Sequence, residues 1–255
     1  MTDSRQQQLR QAADLLIQAR RTGETLPNLP TELQPTDLAE TSAIQDLVAA
    51  AFGPIGGWKI GAGTPDATPA FAPMPSAWMH PSGATLAGPH WRLRTLEAEI
   101  AFLVGHDLPP RDTPYTREEV LAAMASCHPA IEILESALVD LTSPTRDSKN
   151  ADMQVHGGFI AGPAIDDWQS IDFSRERVTV TVDGTVLEDR TGSNTSGDLL
   201  RLLPWLANEG AARTGGLKQG QWITTGSWTG NTPTGPNSHA VIQFAHASPV
   251  DLRFA

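Results

Sequence analysis

Three glutamates stand where strand-like sequence would ordinarily place apolar or neutral residues. In Leu96-Glu97-Ala98-Glu99-Ile100-Ala101-Phe102 the alternate positions are apolar. Side chains along a strand point to opposite faces, so Leu96, Ala98, Ile100 and Phe102 form one apolar face. Glu97 and Glu99 then share the other, about 7 Å apart. Two carboxylates on one face repel unless solvent or a cation lies between them. Oxygen ligands on a rigid strand suit a hard dication such as Mg2+ or Mn2+. The pattern also fits a plain solvated strand face. A second apolar run, Pro129-Ala130-Ile131-Glu132-Ile133-Leu134, contains one carboxylate opposite Ile131 and Ile133. A lone glutamate in such a run is rarely buried without a partner. Glu97, Glu99 and Glu132 from two strands could therefore form a facial carboxylate set, with positions open for water and substrate. Glu135, on the Ile131 and Ile133 face, is the weaker ligand candidate.

Lys59 is the third group of interest. It lies between Trp58 and Ile60, and glycines at 56, 57, 61 and 63 surround the segment. Desolvation in a tight apolar strand would lower its pKa and let it exchange protons near neutrality. A lysine that extends its amine to water fits the same sequence.

The elements that must position these groups follow from periodicity and turn signals. Leu9, Ala12, Ala13, Leu15, Leu16 and Ala19 recur at helical spacing and Gly23 follows as a stop. Thr36 is the expected N-cap of a second helix through Val48. Residues 1–52 thus read as a helical segment and 53–255 as a β-rich catalytic domain. The stretch 64–90 has four prolines between Pro65 and Pro75, which excludes regular helix or central strand and suggests a lid. Strands are expected over 58–60, 95–104, 130–134, 157–162, 221–225, 239–244 and 250–254. A hairpin is expected around Asp183-Gly184, with helices from Thr116 and over 198–208. The fold class is α+β, with helices ahead of a strand-rich body.

Composition narrows the function classes. The 255 residues hold 29 acidic and 18 basic side chains, a formal charge of −11. That argues against nucleic-acid binding, which wants a basic face. Hydrophobic residues make up 40%, enough for a core. A single cysteine, Cys127, excludes an internal disulfide or a cysteine-based zinc site. Cys127 and His128 are adjacent and, on or after a helix, would not face one another, so a packed thiol is expected. No run of about 18 apolar residues and no signal-peptide core is seen, so no membrane span and a cytoplasmic location are expected.

Together these segments resemble the fumarylacetoacetate hydrolase superfamily, and within it the 2-keto-4-pentenoate hydratase and 2-oxo-acid decarboxylase branch. The resemblance runs through Gly57-Trp58-Lys59-Ile60-Gly61, Leu96-Glu97-Ala98-Glu99-Ile100 and Pro129-Ala130-Ile131-Glu132. It continues through Ala151-Asp152 with Gly157–Gly162, Leu203–Asn208 and Ile223-Thr224-Thr225-Gly226-Ser227. It covers nearly the whole chain in order. It implies a mixed β-barrel-like roll with outer helices, and Mg2+ or Mn2+ held at Glu97, Glu99 and Glu132. A small 2-oxo or 2-hydroxydienoic acid would chelate that metal, with Lys59 beside it and Thr225, Gly226 and Ser227 contacting its oxygens. A homo-oligomer is also implied.

The sequence departs from the branch in two places. Trp78 in Ser76-Ala77-Trp78-Met79-His80 replaces an expected acid and is read as a pocket wall. His80, whose imidazole titrates near 6.5, is the substitute proton carrier. After Asp152 come Met153, Gln154, Val155 and His156. His156 is a weaker proton-transfer candidate, and Asp152 either orients Lys59 or caps a turn. Trp228 is a further candidate pocket residue. The leading expectation is a metal-dependent hydratase of 2-hydroxyalka-2,4-dienoates in aromatic or related catabolism. A 4-oxalocrotonate-type decarboxylase comes next. An acylpyruvate-type C–C hydrolase follows, disfavoured because no glutamate lies between Glu40 and Glu97. A non-catalytic partner subunit is last.

Overall fold

A computed structural model describes residues 3–255. The chain opens with helices α1 (Asp3–Thr22) and α2 (Leu38–Ala51). Strands β1 (Ile55–Gly61), β2 (Ala70–Pro75), β3 (Met79–Pro81), β4 (Ala84–Leu86) and β5 (Thr95–Val104) follow. Helix α3 (Arg117–Ala122) leads into β6 (Met124–Leu134), and α4 (Arg146–Ala151) into β7 (His156–Ala161). The hairpin β8 (Arg177–Val182) and β9 (Thr185–Thr191) precedes the short α5 (Leu202–Trp205). Strands β10 (Trp222–Thr224), β11 (Thr232–Pro233), β12 (His239–Phe244) and β13 (Val250–Phe254) close the chain.

The strands form two mixed sheets. The larger runs β2-β1-β10-β5-β6-β7-β3, with β11 also paired to β5; the smaller runs β4-β13-β12-β8-β9. Leu96, Ala98, Ile100 and Phe102 are all buried on the expected face of β5, and they meet Val178, Val180, Phe244 and Val250 of the smaller sheet in one core. Burial of each large side chain there contributes about 1.5–3 kcal/mol. This is the mixed β-roll with outer helices that the resemblance implies. The apolar stripe of α1 packs with Ile44 and Val48 of α2 against Leu138 and Met153, joining the helices to the segments that follow β6 and α4.

Three local expectations are corrected. The N-cap of α2 is Asp37, whose Oδ1 accepts from Glu40 N at 2.8 Å. Thr36 instead donates its amide and hydroxyl to Glu40 Oε2, at 2.9 Å each. The stretch 64–90 is no free lid. Its centre forms β2, with Ala72 and Met74 buried, and its end forms β3 and β4. Proline is tolerated because β2 is an edge strand, where a missing N–H breaks no ladder. Residues 62–69 remain as the longest loop of this stretch, with short turns at 82–83 and 87–90. Cys127 lies in strand β6, which follows α3, and not on a helix; it is packed, as expected, and burial pushes its thiol pKa up.

Glu40 also supplies a pH test of the helical segment. Arg5 donates Nε and Nη2 to its two oxygens at 2.7 and 2.6 Å. Those bonds, against the opposing effect of burial and with help from Thr36, lower its carboxyl to about 2 from an ordinary 4.5. A depressed carboxyl stabilises the fold above its unfolded value and loses that contribution as pH falls through the folded one. The midpoint of Glu40→Gln is therefore expected to fall below wild type at pH 7, by roughly 1–3 kcal/mol of stability. The gap should close between about pH 4.5 and pH 2; thermal melts across that range read it directly.

Candidate active site

Register brings the glutamates together. Glu97 of β5 is directly opposite Glu132 of β6, and Glu99 is opposite Ala130. Lys59 of β1 pairs with Thr224 of β10, and Thr224 in turn with Ala101 of β5. Lys59, Thr224, Glu99, Glu97 and Glu132 therefore share one face of four adjacent strands, while Trp58 and Ile60 point into the core. One oxygen from each glutamate lies within 4.8 Å of the others. Glu99 and Glu132 are buried and Glu97 is half-buried. The cluster faces a cavity of about 640 Å³ lined also by residues 61–64, Arg146, Gln154 and Ser227.

Each carboxylate has its own anchors. Glu99 Oε2 accepts from the Thr224 hydroxyl and, at 3.0 Å, from Gly226 N. Gly226 has φ +87°, and its Cα lies so near Gly61 that a side chain would crowd that strand. This is a close approach that glycine permits. Glu132 Oε1 accepts from Lys59 Nζ at 2.5 Å and from His156 Nδ1 at 3.0 Å, while its Oε2 is buried with no hydrogen-bond partner among the described residues. Lys59 Nζ also donates to Gln154 O at 3.1 Å.

Burial and the neighbouring Glu132 raise Glu97 to about 7, opposed by Lys59 and Ser227, and they raise Glu99 well above the carboxylate range. Burial would raise Glu132 too, but Lys59 and His156 hold it at about 2. The Lys59 expectation is overturned in sign. Burial lowers its ammonium pKa, yet Glu132, Glu97 and Glu99 outweigh burial and raise it above the ordinary lysine value. The buried His156 ring is lowered, chiefly by burial. Kept neutral, it donates its Nδ1 proton to Glu132. Three convergent oxygen donors, one with a buried unpartnered oxygen, suit a hard dication of the Mg2+ or Mn2+ kind.

The other expected site residues divide. Ser227 lines the cavity, and Gly226 lines it while holding Glu99. The Thr225 hydroxyl is tied to Ile100 O at 2.7 Å and is buried in the sheet. Asp152 makes no bond to Lys59. It takes Arg20 Nε at 2.6 Å, the Ser136 hydroxyl at 2.6 Å and Ala137 N at 2.8 Å. Arg20 also donates to His156 O at 2.9 Å, so Asp152 connects to the cluster through the residue that supports His156. His80 and Trp78 line a separate cavity of about 150 Å³. Trp78 lies under Arg20, with its ring 5.8 Å from that of His156. Glu135 is turned from the cluster and accepts from Arg92 N and Leu93 N. Trp228 is a core residue packed edge-on to Phe244.

Thr224, Gln154 and Arg146 were not singled out from sequence. The one available signal for Gln154 was proximity to the Asp152 motif. Its φ of +53°, between Met153 at +55° and Val155 at +63°, is a property of the folded backbone.

A mixed-strand roll presents three carboxylates and a lysine on one face, opening on a cavity: a candidate cation site. The profile of the fumarylacetoacetate (FAA) hydrolase C-terminal domain matches residues 52–252, and the chain belongs to that family. It is 32% identical over 131 residues to 2-hydroxyhexa-2,4-dienoate hydratase of Comamonas testosteroni. That match covers 51% of this chain and 48% of the relative, so the chain spans about half the length of the curated relative it matches. Over 100% of both chains it superposes on 4-oxalocrotonate decarboxylase of Pseudomonas putida G7. The structure complexed with magnesium and adipate gives a TM-score of 0.86 at 21% identity. The structure complexed with calcium and acetate gives 0.84 at 22%. These likenesses establish the fold. Among the described residues no helix is long and apolar enough to cross a membrane.

Proposed function

We propose that this chain is a divalent-metal-dependent hydro-lyase that adds water to a 2-hydroxyalka-2,4-dienoate or 2-keto-4-pentenoate-type acid in aromatic or related catabolism. The observation that carries the reading is the convergence of Glu97, Glu99 and Glu132 beside a buried lysine at the foot of one cavity. The hydratase name of the curated relative supports it. Glu97, Glu99 and Glu132 would hold Mg2+ or Mn2+. A bound dication supplies Lewis acidity toward a 2-oxo or 2-enol acid. Thr224 and Gly226 fix Glu99, and Lys59 and His156 fix Glu132, so the donor set is oriented before substrate arrives. Lys59 Nζ holds the proton that a carbanionic carbon of the substrate must receive. Ser227 and residues 61–64 line the cavity in which the substrate would lie. A homo-oligomer working in the cytoplasm is part of this reading, on composition and resemblance.

Decarboxylation of a 4-oxalocrotonate-type acid is the second reading, and the cavity lining favours it. Among the described residues no histidine or aspartate lines this cavity, which leaves Lys59 and the glutamates as its proton-handling groups. Water addition needs a base for the water; loss of CO2 needs no such base, only an electron sink at the 2-oxo group, which a dication held by the glutamates would supply. The two separate in one assay. The purified protein with Mg2+ or Mn2+ is given 2-hydroxypenta-2,4-dienoate and, separately, 4-oxalocrotonate. Loss of diene absorbance with uptake of labelled water supports the hydratase. CO2 release from the diacid supports the decarboxylase. No turnover of either acid, or of the diacid 2-hydroxyhepta-2,4-diene-1,7-dioate, with either metal refutes both.

A further inference from the structure

The cavity above the glutamate cluster contains two polar groups that the chemistry so far leaves unused. Arg146 is exposed at the start of α4 and lines the cavity. Among the described residues its guanidinium has no hydrogen-bond or ion-pair partner. It forms no ion pair with Glu97, Glu99 or Glu132, so it stands beyond ion-pair reach of the cluster while lining the same space. Other guanidinium groups near the site are engaged. Arg20 holds Asp152, and Arg201 donates to the carbonyls of Thr64 and Ala67 in the 62–69 loop.

Gln154 is the second group. It also lines the cavity, and its Oε1 is buried without a hydrogen-bond partner. Three consecutive non-glycine residues in the left-handed region, Met153 to Val155, cost roughly 1–3 kcal/mol each. The bond from Lys59 Nζ to Gln154 O secures that backbone. A buried amide without a protein partner must find water or ligand. By a half-turn of its end group it can present an N–H donor in place of oxygen.

The cavity thus has a carboxylate cluster fit for a cation at one place and an unpaired guanidinium at another, with an unpartnered amide also on its wall. We infer that Arg146, assisted by Gln154, binds a second carboxylate at the far end of the substrate, so that the preferred substrates are 2-oxo or 2-hydroxydienoic diacids rather than monoacids. The inference rests on the glutamate cluster as the seat of the 2-oxo acid head. It concerns water addition directly, where the far carboxylate lies away from the reacting carbons; in decarboxylation of a 4-oxalocrotonate-type diacid that carboxylate is the group released as CO2, and Arg146 would orient it before the bond breaks.

Equilibrium binding of unreactive probes tests it without turnover. Titration calorimetry with Mg2+ present compares 2-oxoglutarate and 2-oxoadipate with 2-oxopentanoate and 2-oxohexanoate. Wild type, Arg146→Gln and Arg146→Lys are each titrated. For at least one chain length wild type should prefer the diacid. Arg146→Gln should cut that diacid-to-monoacid ratio roughly 10- to 100-fold, the effect of losing one charge-assisted pair. Arg146→Lys should retain part of it, since charge persists without the planar fork. A ratio unchanged in Arg146→Gln, with monoacid binding still Mg2+-dependent, overturns the inference alone. Monoacid binding that ignores Mg2+ in wild type overturns the head-group reading, and the inference with it.

Discussion

Replacing Glu99 with alanine is expected to abolish divalent-cation binding and to lower turnover on the order of a thousandfold or more. Glu99 is one of three donors, and the Thr224 hydroxyl and Gly226 amide hold it in place, so its removal takes away a pre-positioned ligand. Titration calorimetry with Mg2+ and Mn2+ reads the metal, and steady-state kinetics the turnover. The metal-free protein gives a separate reading. There burial, and after it the neighbouring Glu132 and Glu97, push the Glu99 carboxyl well above the ordinary range. Glu99→Gln removes that repulsion and keeps an oxygen for Thr224 and Gly226. Its metal-free form should therefore melt no lower than wild type, while Mg2+ should raise the midpoint of wild type only. Equal Mg2+ stabilisation of the two proteins would mean that these carboxylates do not seat the cation.

The Lys59→Met variant is expected to lose turnover by roughly 10²- to 10⁴-fold, the usual contribution of a positioned proton donor. It should also lose stability. Lys59 Nζ satisfies a buried oxygen of Glu132 at 2.5 Å, and Glu132 has no exposed surface. Removing one member of a buried ion pair leaves the other charge uncompensated, which costs about 3–5 kcal/mol. The two effects separate when kinetics are run well below the melting midpoint of the variant, measured with Mg2+ present. A proton-transfer role then lowers kcat more than it raises KM. A purely structural role would restore kcat once folding is assured, and such recovery would remove Lys59 from the chemistry. Lys59→Arg is not expected to rescue, because the site is buried and the amine reaches two acceptors at close range.

Much of the site was legible in the sequence because β-strands have a strict period. The alternation of Leu96, Ala98, Ile100 and Phe102 placed Glu97 and Glu99 on one face, and the lone carboxylate at Glu132 marked the neighbouring strand. Family likeness supplied the roll, and Asp183-Gly184 the hairpin. Long-range placement was less accessible. The prolines of 64–90 suggested a lid, yet an edge strand accommodates them as readily, and edge position depends on which strand pairs with β1. His80 and Trp78, sensible from their loop sequence, fell on the far side of His156 in a different cavity. Asp152 was found by motif, but its partner is Arg20, 132 positions earlier in α1.

What the sequence determined by itself was local: strand faces, helix stripes, the turn between β8 and β9, and the residue types able to hold a cation. The folded structure alone decided the sign of the Lys59 shift, the unpartnered oxygen of Glu132 and the meeting of Arg146 and Gln154 at one cavity. The reason is that electrostatics and hydrogen-bond satisfaction depend on distance in space. Glu132 lies 73 residues from Lys59 along the chain but 2.5 Å from its amine, close enough for attraction to reverse what burial alone would do.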